Sequence, residues 1–375
     1  MHIHHVAIWA QDLEALKAFY CTLFGGQANE RYHNPSKQFS SYFVRFEGGA
    51  SLELMHTPIL FPADLHLPHP LHLLKSTEST PCLCIFERTI MYTTLISVAQ
   101  LQALQTSGTP LAVFDCTFDL MNPTAGHAQY AEQHIAGAQH ADLDLHLATH
   151  DANLRVNGGR HPLPQREVFA TWLQSVGVNN NTQVVVYDRN GMNYCGRLWW
   201  MLKWCGHEAV AVLDGGLQAW VSAGGAVASG AEHAQAVGDF ALRKPLVKLV
   251  DTTSVSQHLR DGTQTIVDAR GAPRYRGEVE PLDPIAGHIP GALNRPFNIN
   301  LNAEGFFKSA DELRAEFSAL LGNAKPESVV HHCGSGVSAV PNVLAMEVAG
   351  LGRTALYAGS WSEWCNTPGL PCEKS

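Results

Sequence analysis

The sequence predicts an α/β protein: two tandem domains with parallel sheets covered by helices, preceded by a small α+β module of βαββ order. Three observations predict it. First, the middle and the end of the chain repeat each other. Val113-Phe-Asp115, His134-Ile-Ala-Gly-Ala138, Val184-Val-Val-Tyr-Asp188 and Leu213-Asp-Gly-Gly-Leu-Gln-Ala-Trp220 occur in that order. One domain length later come Val267-Asp268, His288-Ile-Pro-Gly-Ala292, Val329-Val-His-His-Cys333 and Tyr357-Ala-Gly-Ser-Trp-Ser-Glu-Trp364. Second, short β-branched runs alternate with helical stretches such as 166–176 and 311–321, the pattern of a parallel sheet with helical crossovers. Third, residues 1–57 share none of these landmarks.

In the N-terminal module, His4–Trp9 reads as a strand and Asp12–Phe24 as a helix, its apolar face carried by Leu13, Leu16, Phe19, Tyr20 and Leu23. Gly25-Gly26 ends that helix, and 40–46 and 50–55 read as further strands. Residues 58–90 are proline-rich, lack periodicity and read as a linker. The two repeats are placed at 91–236 and 245–375, and the Ala/Gly-rich stretch Val221–Phe240 reads as the connection between them.

Composition narrows the class. A chain of 375 residues with 45% hydrophobic and 16% charged content can bury more than one core. The net charge of −9, with no basic run, argues against nucleic acid or an anionic membrane as partner. No apolar window reaches the roughly 20 residues needed to span a bilayer. The N-terminus has no signal-peptide pattern, and nine irregularly spaced cysteines do not form a disulfide framework, so a reducing, cytoplasmic setting is expected. Cys82 and Cys84 lack the second pair that a metal site of that spacing would need.

Cys333 is the residue that carries chemistry. It ends an apolar strand and opens the turn Cys-Gly-Ser-Gly-Val-Ser338, which leads into a helical stretch at 339–349. A helix N-terminus offers unpaired N–H groups and a partial positive charge, conditions that favour a thiolate nucleophile. Gly334 and Gly336 are expected to adopt positive φ and turn successive N–H groups toward the sulfur. In the first repeat the equivalent position is Asp188, so only the second copy can supply a sulfur nucleophile.

Together these motifs resemble the rhodanese superfamily, in particular its tandem-domain sulfurtransferases, over about Met91 to Ser375. The resemblance implies an inactive first domain and a catalytic second one. A phosphatase relative would carry Cys-x5-Arg, but Ala339 stands at that arginine position. The uncharged loop is similar to the Cys-Gly-Ser-Gly-Val-Thr of 3-mercaptopyruvate sulfurtransferases, with Ser338 for Thr; thiosulfate-preferring members carry cations there. The resemblance therefore implies sulfur transfer from 3-mercaptopyruvate through a Cys333 persulfide. The acceptor would be a thiol such as thioredoxin or glutathione, or cyanide, and no cofactor is required. Thiosulfate:cyanide transfer is the alternative.

The resemblance also implies site roles. The loop residues Gly334, Gly336, Val337 and Ser338 would surround the donor, and Arg274 would bind its carboxylate. Ser335, His161 and Asp144 would form a polarising triad. The family's second substrate arginine is missing from 280–288, and Arg295 and Arg189 are the substitutes considered. Arg270, Arg276, His134, His288, His331 and His332 are expected to be structural.

The N-terminal segment resembles one module of the vicinal oxygen chelate superfamily, in which His5 and Glu53 would fall at metal-ligand positions. Two ligands do not make a stable divalent site. A metal-free or dimerising module is therefore expected, with metal or small-molecule binding as the alternative. Because Met91 lies close to where a two-domain sulfurtransferase begins, the preceding segment reads either as a gene fusion or as an extension from an upstream start.

Overall fold

The computed structural model describes residues 6–9, 13–35, 39–46, 51–56, 91–232 and 236–375, which fall into two compact units, 1–85 and 86–375. His5, the linker at 58–90, and Cys82 and Cys84 lie outside the described residues.

The first unit contains β1 (Val6–Trp9), α1 (Leu13–Phe24), β2 (Gln27–Ala28), β3 (Tyr32–Asn34), β4 (Phe39–Arg45) and β5 (Ser51–His56). Its sheet runs β1-β5-β4-β2, with β3 pairing β4; β1 is parallel to β5 and β4 antiparallel to it. Leu13, Tyr42, Val44 and Leu54 form the core. The two extra strands are two and three residues long, too short for an alternation pattern to show in sequence. Glu53 lies on β5, and no cluster of three metal-ligating side chains occurs among the described residues.

The second unit contains both repeats. The first has β6 (Leu95–Ile96), α2 (Val98–Thr106), β7 (Leu111–Asp115), α3 (Pro123–Glu132), β8 (His134–Ile135) and β9 (Gln139–His140). It continues with α4 (Arg166–Ser175), β10 (Gln183–Tyr187), α5 (Cys195–Trp204), β11 (Val210–Leu213), α6 (Gly216–Ser222) and β12 (Val227–Ala228). The second has β13 (Lys248–Val250), α7 (Thr252–Asp261), β14 (Thr265–Asp268), α8 (Ala272–Tyr275) and β15 (Leu293–Asn294). It ends with α9 (Ala310–Leu321), β16 (Val329–His332), α10 (Val340–Val348), β17 (Ala355–Tyr357) and α11 (Ser360–Trp364).

The two parallel sheets have corresponding orders, β6-β11-β10-β7-β9 and β13-β17-β16-β14-β15. Their middle strands, β10 and β16, are Val-rich and buried along their length, as strands covered on both faces must be. Each ends at the start of a loop, so Asp188 and Cys333 occupy equivalent places at the carboxyl edge, where open α/β sheets put reactive groups.

The Ala/Gly-rich connection is only partly a linker. Its β12 pairs antiparallel with β8, and Glu232 Oε1 accepts from Gly137 N at 2.8 Å and contacts His134 Nε2 at 3.1 Å. Small residues hid a strand that exists only through its partner.

Two helices join the repeats. All ten residues of α5 and the first seven of α10 are buried, and both contribute to one core cluster drawn from both sheets. Gly196 permits the close approach, since a side-chain carbon there would lie 3.3 Å from Val340 Cγ1. This shared core holds the first repeat's loops rigidly against the Cys333 loop. Among the described residues, no helix is long and apolar enough to cross a membrane.

Candidate active site

The loop from Cys333 to Ala339 is held mainly through backbone and hydroxyl contacts with α11. Cys333 N donates to Ser360 Oγ (3.1 Å), while Cys333 and Gly334 carbonyls accept from Trp361 N (3.0 Å) and Ser362 N (2.9 Å). Gly336 has φ 73°, and a Cβ there would strike Ala358 O at 2.3 Å, so this position requires glycine on both counts. Gly334 departs from expectation: its φ lies outside the left-handed region. It leaves room for cations instead, because a methyl group there would lie 3.0 Å from Arg160 Nη2 and 3.5 Å from Arg274 Nη1. Val337 packs into the shared core, and Ser338 is half-buried.

Ser335 and His161 come together across the domains, with Oγ and Nδ1 2.7 Å apart. Asp144 is a looser third member, Oδ1 standing 3.6 Å from His161 Nε2, beyond direct hydrogen-bond length. A proton on Nε2 facing this carboxylate leaves Nδ1 to accept from the Ser335 hydroxyl. Burial, reinforced by the guanidiniums of Arg197 and Arg160, pulls His161 down to about 3. Burial together with nearby Asp142 raises the Asp144 carboxyl.

The segment Gly158–His161 is docked onto α11 and the residues around it. Gly158 N donates to Glu363 Oε1 (2.7 Å) and Arg160 N to Ser362 Oγ (2.9 Å). At Gly159, φ is 89° and a Cβ would lie 2.6 Å from Gly359 O. Arg197, fully buried on α5, donates to Leu147 O, Gly336 O and His161 O, tying the histidine's segment to the cysteine loop. Burial pulls its guanidinium down to about 9, opposed by attraction from Cys333, which leaves it charged at neutral pH. Arg270 feels Cys333 as well, while bound to Asp268 by Nε and Nη2.

Arg274 stands beside the loop but already pairs with Glu280 Oε1 (2.6 Å) and Asp283 Oδ2 (3.2 Å). The two substitutes for the missing second arginine are engaged elsewhere. Arg295 is buried against Asn300, Glu316 and Phe317, and Arg189 donates to the carbonyls of Gln129 and Gln133. Arg276 pairs at the surface with Glu278. His134 and His288 each place Nδ1 2.8 Å from a backbone carbonyl, of Tyr130 and Tyr275, and stack on those rings. His331 and His332 are buried on β16.

The first repeat shows what its equivalent loop holds. The Asp188 carboxylate accepts from Asn190 N and Met192 N on one oxygen and Tyr194 N and Cys195 N on the other, at 2.8–2.9 Å. Four N–H groups thus close on one buried anion, although burial still raises this carboxyl above its ordinary value.

The sequence pattern of the Rhodanese-like domain matches residues 97–223 and 251–367. The chain belongs to the rhodanese family. A second pattern, the Glyoxalase/Bleomycin resistance protein/Dioxygenase superfamily, matches residues 2–79. Among curated relatives, a Pseudomonas aeruginosa protein named "Probable 3-mercaptopyruvate sulfurtransferase" is 42% identical over 275 residues, covering 73% of this chain and 95% of its own. The Bos taurus thiosulfate sulfurtransferase is 33% identical over 264 residues, covering 68% and 86%. Among solved structures, Escherichia coli SseA, described as a 3-mercaptopyruvate sulfotransferase, has a TM-score of 0.61 and 32% identity, covering 72% of this chain and 100% of its own.

In this rhodanese-family chain the residues missed from sequence are Arg160, Arg197, Glu280 and Asp283. Arg160 directly precedes His161 in the sequence. Asp283 stood in the segment searched only for arginine.

The buried histidines make stability pH-dependent. His161 and His331 both titrate near 3 in the folded chain, against 6.5 for a free imidazole. Below pH 6.5 the unfolded chain takes up protons that the native chain refuses. Stability is therefore full above pH 6.5 and falls by about 1.4 kcal/mol per pH unit for each such histidine, down toward pH 3. Urea unfolding at pH 7.5 and 5.0 should show this loss, and His331→Leu should make it shallower. The rate profile should contain no His161 ionisation between pH 5 and 8.

Proposed function

We propose that this chain transfers sulfur from 3-mercaptopyruvate through a persulfide on Cys333. The Cys333 thiolate attacks the donor sulfur, the donor C–S bond breaks, and its electron pair leaves on carbon as the enolate of pyruvate. The donor's thiol proton, relayed through Ser335 and the neutral His161, protonates that carbon. Pyruvate departs and Cys333 carries the outer sulfur as Cys–S–S⁻. Reduced thioredoxin, glutathione or cyanide then removes it, in a reducing compartment where Cys333 stays a free thiol.

The observation that carries this reading is the twin loop of the first domain, where four N–H groups hold the Asp188 carboxylate. Although Val337 is not left-handed where Met192 has φ 61°, the Cys333 loop shares that loop's glycine turn, with Gly336 at φ 73° where Gly191 has φ 67°. It thus has the backbone to favour an anion on sulfur. The absence of charged side chains in Cys333–Ser338 favours a donor whose charge sits on a remote carboxylate. Arg197 and Arg270 both interact electrostatically with Cys333, which adds attraction for negative charge on its sulfur.

Initial rates with 3-mercaptopyruvate (pyruvate release) and thiosulfate (thiocyanate formation) test this directly. The expected kcat/KM is higher for 3-mercaptopyruvate by at least tenfold. Preference for thiosulfate would overturn the donor assignment.

A further inference from the structure

We infer that Arg197, contributed by the first domain, is the counter-cation that holds Cys333 as a thiolate. The site then pairs its thiolate with a guanidinium and leaves His161 neutral. The inference rests on the sulfurtransferase reading of Cys333 and deepens it by naming the positioning residue that keeps the nucleophile reactive.

Charge accounting around the loop singles Arg197 out. Arg160, Arg270 and Arg274 each have a carboxylate oxygen at 2.6 or 2.7 Å, from Asp283, Asp268 and Glu280 in turn. Their positive charges are answered before any sulfur is considered. Arg197 differs. It is 0% exposed, and its nitrogens meet only backbone carbonyls: Leu147 O at 3.3 and 3.4 Å, Gly336 O at 3.1 Å and His161 O at 2.9 Å. Among the described residues no carboxylate lies within ion-pair distance of it, and Cys333 is the one group whose negative charge it feels. The carbonyls satisfy its N–H groups and leave its net charge uncancelled.

A lone cation in a protein interior is costly, and an apolar side chain at that place on α5 would avoid the cost. An anion within reach accounts for it. Gly336, whose carbonyl takes Nη1, lies in the Cys333 loop three residues beyond the sulfur. The same guanidinium holds the His161 carbonyl through Nη2, and its charge disfavours a second proton on that imidazole. One buried cation therefore drives both groups to their proton-free forms, an anion on sulfur and a neutral ring. In an ordinary cysteine–histidine ion pair the imidazolium would be the cation. Here burial and Arg197 deny His161 that role, and Arg197 takes it.

The test is alkylation of the full-length protein by iodoacetamide, followed by mass on the Cys333 peptide, with exposed Cys372 as internal reference. At pH 7, Arg197→Gln is expected to slow modification of Cys333 by roughly tenfold or more, because the thiolate fraction falls. The gap should close at about pH 9.5, where a thiol ionises without help. Cys372 should react alike in both chains. Arg197→Lys keeps the charge without the fork and should recover part of the pH 7 rate. Equal pH 7 rates at Cys333 in wild type and Arg197→Gln would overturn the inference. So would a slowing of the same size at both pH values, which would mark Arg197 as a strut for the loop. A reciprocal measurement leaves Arg197 untouched and covers the case in which Arg197→Gln does not fold. Cys333→Asp, with an anion facing the guanidinium, should unfold at a higher urea concentration than its neutral isostere Cys333→Asn; the reverse order would overturn the inference. Alkylation needs no sulfur donor. A wild type that forms no persulfide with 3-mercaptopyruvate or thiosulfate would therefore sink the sulfurtransferase reading alone, and the alkylation rates would still decide the role of Arg197.

Discussion

Cys333→Ser is expected to reduce sulfur transfer by a factor on the order of 10⁴ or more, whichever donor is used. A serine hydroxyl is not ionised near neutral pH, and oxygen cannot carry the sulfane sulfur that the cycle requires. The variant should still fold. The bonds that shape this loop run through the backbone of residue 333, to Ser360 Oγ and from Trp361 N, and serine keeps both. Serine is close in size, so the shared core above the loop remains filled. Mass measurement after incubation with 3-mercaptopyruvate should find one added sulfur atom in the wild type and none in the variant. Pyruvate release by Cys333→Ser at a comparable rate would remove Cys333 from the mechanism. Among the other described cysteines, Cys116 and Cys195 are buried and their thiols pushed well up by that burial.

The second large effect concerns stability and lies in the first domain. Asp188→Ala removes the acceptor of four backbone N–H groups at a site with 1% exposure. Each stranded buried donor costs about 1–3 kcal/mol, and sharing or relaxation keeps the sum below simple addition. A loss of roughly 3–5 kcal/mol is expected, a large share of an ordinary domain's stability. Asp188→Asn should cost less, since its carbonyl oxygen can still accept from two of the four while its amide faces the other two. Urea unfolding measures both. At a temperature where the variant stays folded, kcat should match the wild type, because Asp188 serves the first domain's loop and not the Cys333 loop. An unchanged midpoint for Asp188→Ala would mean that the carboxylate is dispensable to the loop whose four N–H groups it accepts.

These two residues illustrate what could be read from the chain. The repeat is legible because corresponding strands end in corresponding loops, and aligning the landmarks puts Asp188 opposite Cys333. The choice between them as nucleophile follows from chemistry alone, since a carboxylate cannot carry a persulfide. Ser335 and His161 were legible through motif resemblance, and they lie 2.7 Å apart. Asp144 was placed in the same triad with equal ease, yet it stands at 3.6 Å and is only half-buried. A motif match gives the neighbourhood of a residue, and a few tenths of an ångström decide whether it bonds.

Glycine was legible only in part. Gly334 and Gly336 look equivalent in Cys-Gly-Ser-Gly, but only Gly336 needs a left-handed backbone. Gly334 yields space to two guanidiniums whose approach no local pattern records. Similarly, β2, β3 and β12 carry two or three residues each, and a strand that short takes its identity from its partner.

By itself, the sequence determined the architecture of paired parallel sheets, the strand–loop–helix around Cys333, and the aspartate that stands in place of a cysteine in the first copy. All three depend on residue type and on spacing within one short segment, where side-chain chemistry and backbone preference act locally. Only the tertiary structure decided which cations gather around the Cys333 loop. Arg160 and Arg197 come from the first domain, Arg274 and the acids paired with it from the second, and packing of α5 against α10 brings them together. Electrostatic and hydrogen-bond partners depend on distance in space, and here that distance is set by a core that neither segment contains.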